Sequence, residues 1–200
     1  IASVGIYEIL RMKKFVIYSV AGILSLFATF VMLMPSSWEQ QVIEWTTYSK
    51  LELLFITAIL LLVYSVIVKN QFTFDDVAFV ILSTLYVGMG FYYLIATRDA
   101  GLAYIIFALL VVWTTDSGAY FTGRRFGKNK LWPEISPNKT VEGFDGGIVI
   151  AVIAVIIMQL ISPFDVSWVV LILIAIVSSI FGQMGDLVES AIKRHYDVKD

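Results

Sequence analysis

The sequence predicts an all-α, polytopic integral membrane protein with about six transmembrane helices, and two observations support this prediction. Of the 200 residues, 59% are hydrophobic and 15% are charged, whereas soluble domains carry about 25% charged residues. The hydrophobic residues also gather in long runs, close to the ~20 residues that a helix needs to cross a bilayer. The same composition excludes a disordered chain, and the alternation typical of barrel strands is absent.

Six runs are long enough to span a membrane, and we predict that residues 1–200 form a single transmembrane domain around them. Inside these runs the charged residues are Glu52 and Asp116. The predicted spans are Phe15–Met34, Leu51–Val68, Val77–Ala96, Leu102–Phe121, Gly146–Ser162 and Trp168–Gly185.

The basic residues predict the orientation, because Lys and Arg favour cytoplasmic connections. With the N-terminus inside, only Lys50 and Arg98 of the 14 basic residues fall outside. Both termini are therefore predicted to be cytoplasmic. Residues 122–145 become a long cytoplasmic loop, and residues 186–200 begin a second cytoplasmic segment. Loops as long as the first are usually functional or disordered.

The chain contains few types of reactive side chain. The chain has no cysteine and a single histidine, His195. Disulfides, Cys-ligated zinc, iron–sulfur clusters and thiol nucleophiles are excluded. A catalytic site must therefore be built from carboxylates, Lys and Arg, hydroxyls and backbone groups.

Asp116 is the first candidate, because a carboxylate inside a span is costly and by default functional. It lies about 21 Å along the helix from Leu102, in the cytoplasmic third of the membrane. The alternative is a structural ion pair with Arg124 or Arg125.

The end of the last predicted span is the second candidate. Asp186, Glu189, Ser190 and Lys193 share one helix face. Oxygen ligands beside phosphate suit Mg²⁺, while the alternative is a solvated helix with a Glu189–Lys193 pair. Asp186 lies about 27 Å from Trp168, so its depth matches that of Asp116, and a shared polar pocket is expected.

The long loop is the third candidate. Ser136 followed by Pro137 is typical of a helix start, with Ser136 as N-cap. The N–H groups at such a start bind phosphate, and Lys139 and Thr140 follow directly. Positive charge in this loop is also what the orientation rule alone would produce.

These residues resemble a known family. Ser190-Ala-Ile-Lys-Arg-His-Tyr-Asp-Val-Lys-Asp200 is similar to the start of the phosphatidate cytidylyltransferase (CDP-diacylglycerol synthase) signature, Ser-x-x-Lys-Arg-x4-Lys-Asp. The segments Asp116–Lys128 and Ile135–Gly143 resemble the central loop of the same family, which is here expected to be bacterial.

The resemblance implies a multi-pass enzyme of the cell membrane whose active site faces the cytoplasm. It would join CTP and phosphatidate into CDP-diacylglycerol, release pyrophosphate, require Mg²⁺ and form a homodimer; no nucleic-acid partner is expected. Asp186 matches a metal-binding aspartate of the family. The expected catalytic residues are Asp116, Lys193 and Arg194, and the expected substrate-binding residues are Arg124, Arg125, Ser136, Asn138, Lys139, Thr140, Glu142, Ser190, Lys199 and Asp200.

The family signature continues past Asp200 to a second metal-binding aspartate. We therefore expect the chain to be a middle fragment of the enzyme, with weak activity by itself. Two other functions remain open: a secondary transporter of an anionic solute with Asp116 as proton relay, and a structural membrane subunit. A transporter predicts charges near the midplane and internal repeats.

Overall fold

The computed structural model describes residues 1–198, which form eight helices and one two-stranded antiparallel hairpin. Their contacts divide into two compact units, Ile1–Thr97 and a second unit that begins at Arg98. The elements are α1 (Ala2–Met12), α2 (Val20–Leu33), α3 (Ser36–Thr46), α4 (Lys50–Ile67), α5 (Phe74–Ala100), α6 (Leu102–Phe126), β1 (Lys130–Trp132), β2 (Ser136–Thr140), α7 (Val141–Ile161) and α8 (Trp168–His195).

Five helices in the described range, α4 to α8, are long and apolar enough to cross a membrane. They correspond to the second to sixth predicted spans. Four of them extend well past the predicted ends: α5 and α6 have 27 and 25 residues, α8 has 28, and α7 begins at Val141 instead of Gly146. The expected polytopic all-α membrane fold is confirmed.

The first predicted span, Phe15–Met34, is not continuous in the structure. Its helical part, α2, has 14 residues, which at 1.5 Å per residue is about 21 Å and shorter than the bilayer core. Ser19 caps its start by accepting a hydrogen bond from the Gly22 amide at 3.2 Å. Pro35 ends it, because the residue before a proline is disfavoured in the helical region. Beyond Pro35, α3 turns away at 114°, so α2 and α3 together form at most one bent span.

The first unit is held together by a small apolar core. Ile6 and Leu10 of α1 pack with Leu61 of α4 and Val80 of α5, and all four side chains are fully buried. An ion pair of 2.5 Å between Lys13 and Asp76 lies beside this core.

The second unit contains α6, α7, α8 and the hairpin. Glycines let α6 and α7 approach closely: a Cβ at Gly118 would lie 2.7 Å from the Cβ of Ile150, and one at Gly146 would overlap the side chain of Thr122. Small residues are typical of such helix interfaces in membranes. A buried hydrogen bond of 2.8 Å from the Thr115 hydroxyl to the Ser179 hydroxyl joins α6 to α8.

The segment predicted as a long loop, residues 122–145, is largely ordered secondary structure. Helix α6 continues to Phe126, and its last turn carries Arg124 and Arg125, where positive charge favours the helix dipole. The hairpin follows, and α7 begins at Val141.

The predicted helix start at Ser136 is wrong, because Ser136–Thr140 is strand β2. It pairs with β1 through Lys130↔Thr140 and Trp132↔Ser136. Pro137 is tolerated because proline, which lacks an N–H, is compatible with the edge of a small sheet. The N-cap of the following helix is Thr140, whose hydroxyl accepts from the Gly143 amide at 3.1 Å.

Candidate active site

An open cavity of about 450 Å³ lies in the second unit. Four elements supply its walls: α6, the hairpin, the first turn of α7, and α8. The lining residues are Asp116, Ala119, Tyr120, Gly123, Arg124, Leu131, Asn138, Lys139, Thr140, Gly143, Phe144, Gln183 and Asp186.

Asp116 and Asp186 both line this cavity, as their similar predicted depths suggested. The Thr115–Ser179 hydrogen bond fixes α6 against α8 one residue before Asp116 and about two turns before Asp186. The two carboxylates are near enough to repel each other electrostatically. Such a pair favours a cation between them.

Lys139 supplies positive charge at this position. Its ammonium group forms an ion pair with Asp186, and it also attracts Asp116 electrostatically. The Lys139 side chain is 27% exposed and that of Asp186 is 54% exposed, so both groups remain accessible from the cavity. The hairpin therefore brings a cation to two carboxylates that belong to different helices.

The start of α7 forms another wall. Thr140 and Gly143 line the cavity, and a Cβ at Gly123 would lie 3.0 Å from the Thr140 hydroxyl oxygen. The absence of a side chain at Gly123 thus lets α6 contact the N-terminal turn of α7. A helix start therefore does lie beside the cavity, at Val141 rather than at Pro137, and its Val141 and Gly143 amides donate to the Asn129 carbonyl and the Thr140 hydroxyl.

Arg124 and Gln183 complete the polar lining. Arg124 donates a hydrogen bond of 3.1 Å to the hydroxyl of Tyr120. Gln183 is buried, and its side-chain amide donates to the Phe144 carbonyl at 3.1 Å. Gln183 is not among the predicted site residues, although it lies three residues before Asp186 and therefore on the same helix face.

The remaining predicted site residues that the structure describes lie outside the cavity lining. The Arg125 guanidinium lies 5.5 Å from the ring centre of Phe126. Lys193 forms the ion pair with Glu189 that was considered as the alternative, at 2.7 Å. Arg194 Nε donates to the Ile135 carbonyl at 3.4 Å. Ser136 is in the hairpin, Ser190 is partly buried on α8, and Glu142 contacts the chain before β1; Lys199 and Asp200 lie outside the described residues.

The carboxylates of the cavity determine whether it could hold the expected Mg²⁺. Among residues 1–198, no group of three or more His, Cys, Asp or Glu side chains could hold a metal ion. Mg²⁺ is usually bound by one or two carboxylates together with substrate phosphates and water. Asp116 and Asp186, already neighbours of an ammonium group, fit that donor set.

Comparison with known proteins gives one consistent family. The profile of the cytidylyltransferase family matches residues 1–200. The phosphatidate cytidylyltransferase of Bacillus subtilis (strain 168) is 51% identical over 201 residues, which cover 99% of this chain and 74% of that protein. The proteins of the same name from Staphylococcus haemolyticus (strain JCSC1435) and Staphylococcus aureus (strain COL) are 46% and 41% identical, each covering 100% of this chain and 75% of the relative.

Proposed function

Because the chain belongs to the cytidylyltransferase family, we propose that it transfers the cytidylyl group of CTP to phosphatidate, forming CDP-diacylglycerol and pyrophosphate. One observation carries the proposal: Asp116 and Asp186 share a cavity with Lys139 and Arg124. This cavity lies in the C-terminal halves of α6 and α8, two helices long and apolar enough to cross a membrane. Such a site suits a lipid phosphate whose acyl chains stay in the bilayer and a nucleotide that arrives from water.

The reaction needs no covalent enzyme intermediate. A phosphate oxygen of phosphatidate attacks the α-phosphorus of CTP, and a new P–O bond forms. The bond from the α-phosphorus to the bridging oxygen breaks, and its electron pair leaves with pyrophosphate. Positioning and neutralisation of charge are sufficient to accelerate such a transfer.

Lys139 and Arg124 are the cations best placed to bind the phosphates. Both line the cavity, and the ammonium of Lys139 can exchange Asp186 for a phosphate oxygen by rotating its flexible stem. Asn138 lies beside Lys139 on β2 and offers a neutral donor, and the amides at the start of α7 add to the positive potential. Lys193 and Arg194 lie further along α8, so we assign them supporting roles outside the cavity.

The Mg²⁺ expected from the resemblance would be held by Asp186 and Asp116. When bound, it would neutralise phosphate charge and polarise the α-phosphorus. Lys139 would then be released from Asp186 and remain available to the nucleotide.

The location is part of the same proposal. Long apolar helices make this a membrane protein, and we propose that it lies in the bacterial cell membrane with the cavity facing the cytoplasm, where CTP is available. The homodimer implied by the resemblance stays a prediction, which crosslinking of the purified protein in detergent would test.

The direct test is an assay with CTP labelled at the α-phosphorus, using the protein expressed from its complete reading frame. We expect label to enter the organic-extractable lipid only when phosphatidate is added. Diacylglycerol, which lacks the attacking phosphate, is the matched control and should give no lipid label. Accumulation of an anionic solute in vesicles without any lipid labelling would instead support the transporter.

A further inference from the structure

The carboxylate of Glu142 joins the base of the hairpin to the start of α7. It accepts hydrogen bonds from the backbone amide of Lys128 at 3.1 Å, from that of Asn129 at 3.2 Å, and from the Asn129 side-chain amide at 2.8 Å. The Asn129 carbonyl in turn accepts from the Val141 amide at 3.0 Å. The bonds of the Glu142 carboxylate connect residues that lie 13 and 14 positions apart in the chain.

These contacts engage both oxygens of the carboxylate. A carboxylate offers about four lone-pair positions. One oxygen accepts from both nitrogens of Asn129, while the other accepts from Lys128 and shares the Asn129 amide. Glu142 is also absent from the lining of the cavity. A substrate-binding role, expected from the sequence, would require these bonds to break.

The hairpin, whose base is bonded to Glu142, also contributes to the lining of the cavity. Leu131 of β1 and Asn138 and Lys139 of β2 all line it. A hairpin of two short strands is at best marginally stable without further contacts, so its position depends on the contacts at its base as well as on those of Lys139 and Ile135 with α8. Within the hairpin, the Lys130 ammonium donates to the Pro137 carbonyl at 2.7 Å, which stabilises its shape but does not attach it to α7.

We propose that Glu142 is a positioning residue that holds the hairpin, and with it Lys139, over the cavity. It acts through Asn129 and Lys128 and does not contact the substrate. The kinetic part of this inference rests on the proposed function, whereas the position of the hairpin can be measured without it.

The first measurement follows the hairpin itself. The chain has no cysteine, so a nitroxide attached at Glu134→Cys, an exposed position between the strands, reports hairpin motion by electron paramagnetic resonance. We expect Glu142→Ala to increase nitroxide mobility and Asn129→Ala to increase it less. The matched control is Asp145→Ala: this exposed carboxylate lies on the same helix and outside the cavity lining, and should leave the spectrum unchanged.

The second measurement separates positioning from direct binding. Loss of the Glu142 contacts should raise KM for CTP by on the order of tenfold. Asn129→Ala should shift KM in the same direction, and the double variant should be no worse than Glu142→Ala, because both substitutions break one connection. Glu142→Gln, which keeps one accepting oxygen, should lie between wild type and Glu142→Ala and replaces the latter if that variant does not fold.

Two results would overturn the proposal. One is an unchanged nitroxide spectrum in Glu142→Ala and Glu142→Gln together with a raised KM, which would mean that Glu142 binds substrate directly. The other is additive effects of the Glu142 and Asn129 substitutions. Absence of cytidylyl transfer in the wild-type protein would reject the proposed function, while the nitroxide spectra would still decide the role of Glu142.

Discussion

Lys139 of the hairpin forms an ion pair with Asp186 of α8 inside a cavity that Asp116 also lines. The ammonium therefore lies where a metal ion would be held by these carboxylates. Lys139 and a divalent cation should compete for Asp186, while both assist the binding of nucleotide phosphates. This competition predicts that a substitution of Lys139 weakens nucleotide binding and strengthens metal binding.

Replacing Lys139 with Met should weaken CTP binding and strengthen metal binding. The lost charge-assisted contact should raise KM for CTP roughly tenfold to a hundredfold. In the absence of nucleotide, Mn²⁺ should bind Lys139→Met more tightly than wild type, as measured by titration of the free-ion paramagnetic resonance signal. Lys128→Met is the control, because it removes an exposed lysine side chain outside the cavity lining and keeps the backbone amide that bonds to Glu142. Weaker Mn²⁺ binding in Lys139→Met would contradict the competition.

Loss of either cavity carboxylate should abolish most of the turnover. Asp186→Ala and Asp116→Asn should each lower kcat/KM roughly a hundredfold or more, because charge stabilisation in such sites is usually worth that much. Glu189→Gln, three residues beyond Asp186 and outside the lining, should retain most of its activity. Near-normal turnover of a well-folded Asp116→Asn protein would remove Asp116 from the site.

Gly146→Ala should destabilise the second unit. The new methyl group would overlap Thr122 across the α6–α7 contact, and overpacking of this kind costs about 1–3 kcal/mol. Gly182→Ala on α8 is the matched control, since a Cβ there meets nothing within 4 Å, and it should be neutral or slightly stabilising. Thermal unfolding in detergent would measure both, and equal Tm values for the two variants would contradict the close contact.

The hairpin should be accessible only from the cytoplasm. A cysteine at Glu134, the sole cysteine in that variant, should react with an impermeant maleimide in inverted vesicles and not in intact cells. Labelling in intact cells would reverse the proposed orientation.

The sequence was most informative where the relevant physics is local. Helices α4 to α8 follow from the length of uncharged runs, which any window of the chain reveals. Hydropathy alone missed the late helix start at Val20, because residues 15–19 belong to the same apolar run although they are not helical. That Asp116 and Asp186 line one cavity was also expected from a simple rise per residue.

The hairpin could not be derived in this way. Ser136-Pro137 carries a helix-start signal, yet pairing with Lys130–Trp132 overrides it. The paired residues lie ten and four positions apart, and their register depends on both strands together rather than on either strand alone. The part played by Glu142 was hidden for the same reason, since its partners lie 13 and 14 residues away.

The glycine-lined contact between α6 and α7 separates the second unit into a part that stays fixed and a part that can move. Thr122 fills the space above Gly146, and Ile150 lies against Gly118, so sliding or separation of these two helices would create overlap or a void. We therefore expect α6 and α7 to behave as one stationary body during a catalytic cycle. Admission of a bulky lipid and departure of pyrophosphate would then require movement elsewhere, and the part of the hairpin beyond the Glu142 contacts to Lys128 and Asn129 is the lightest part to displace.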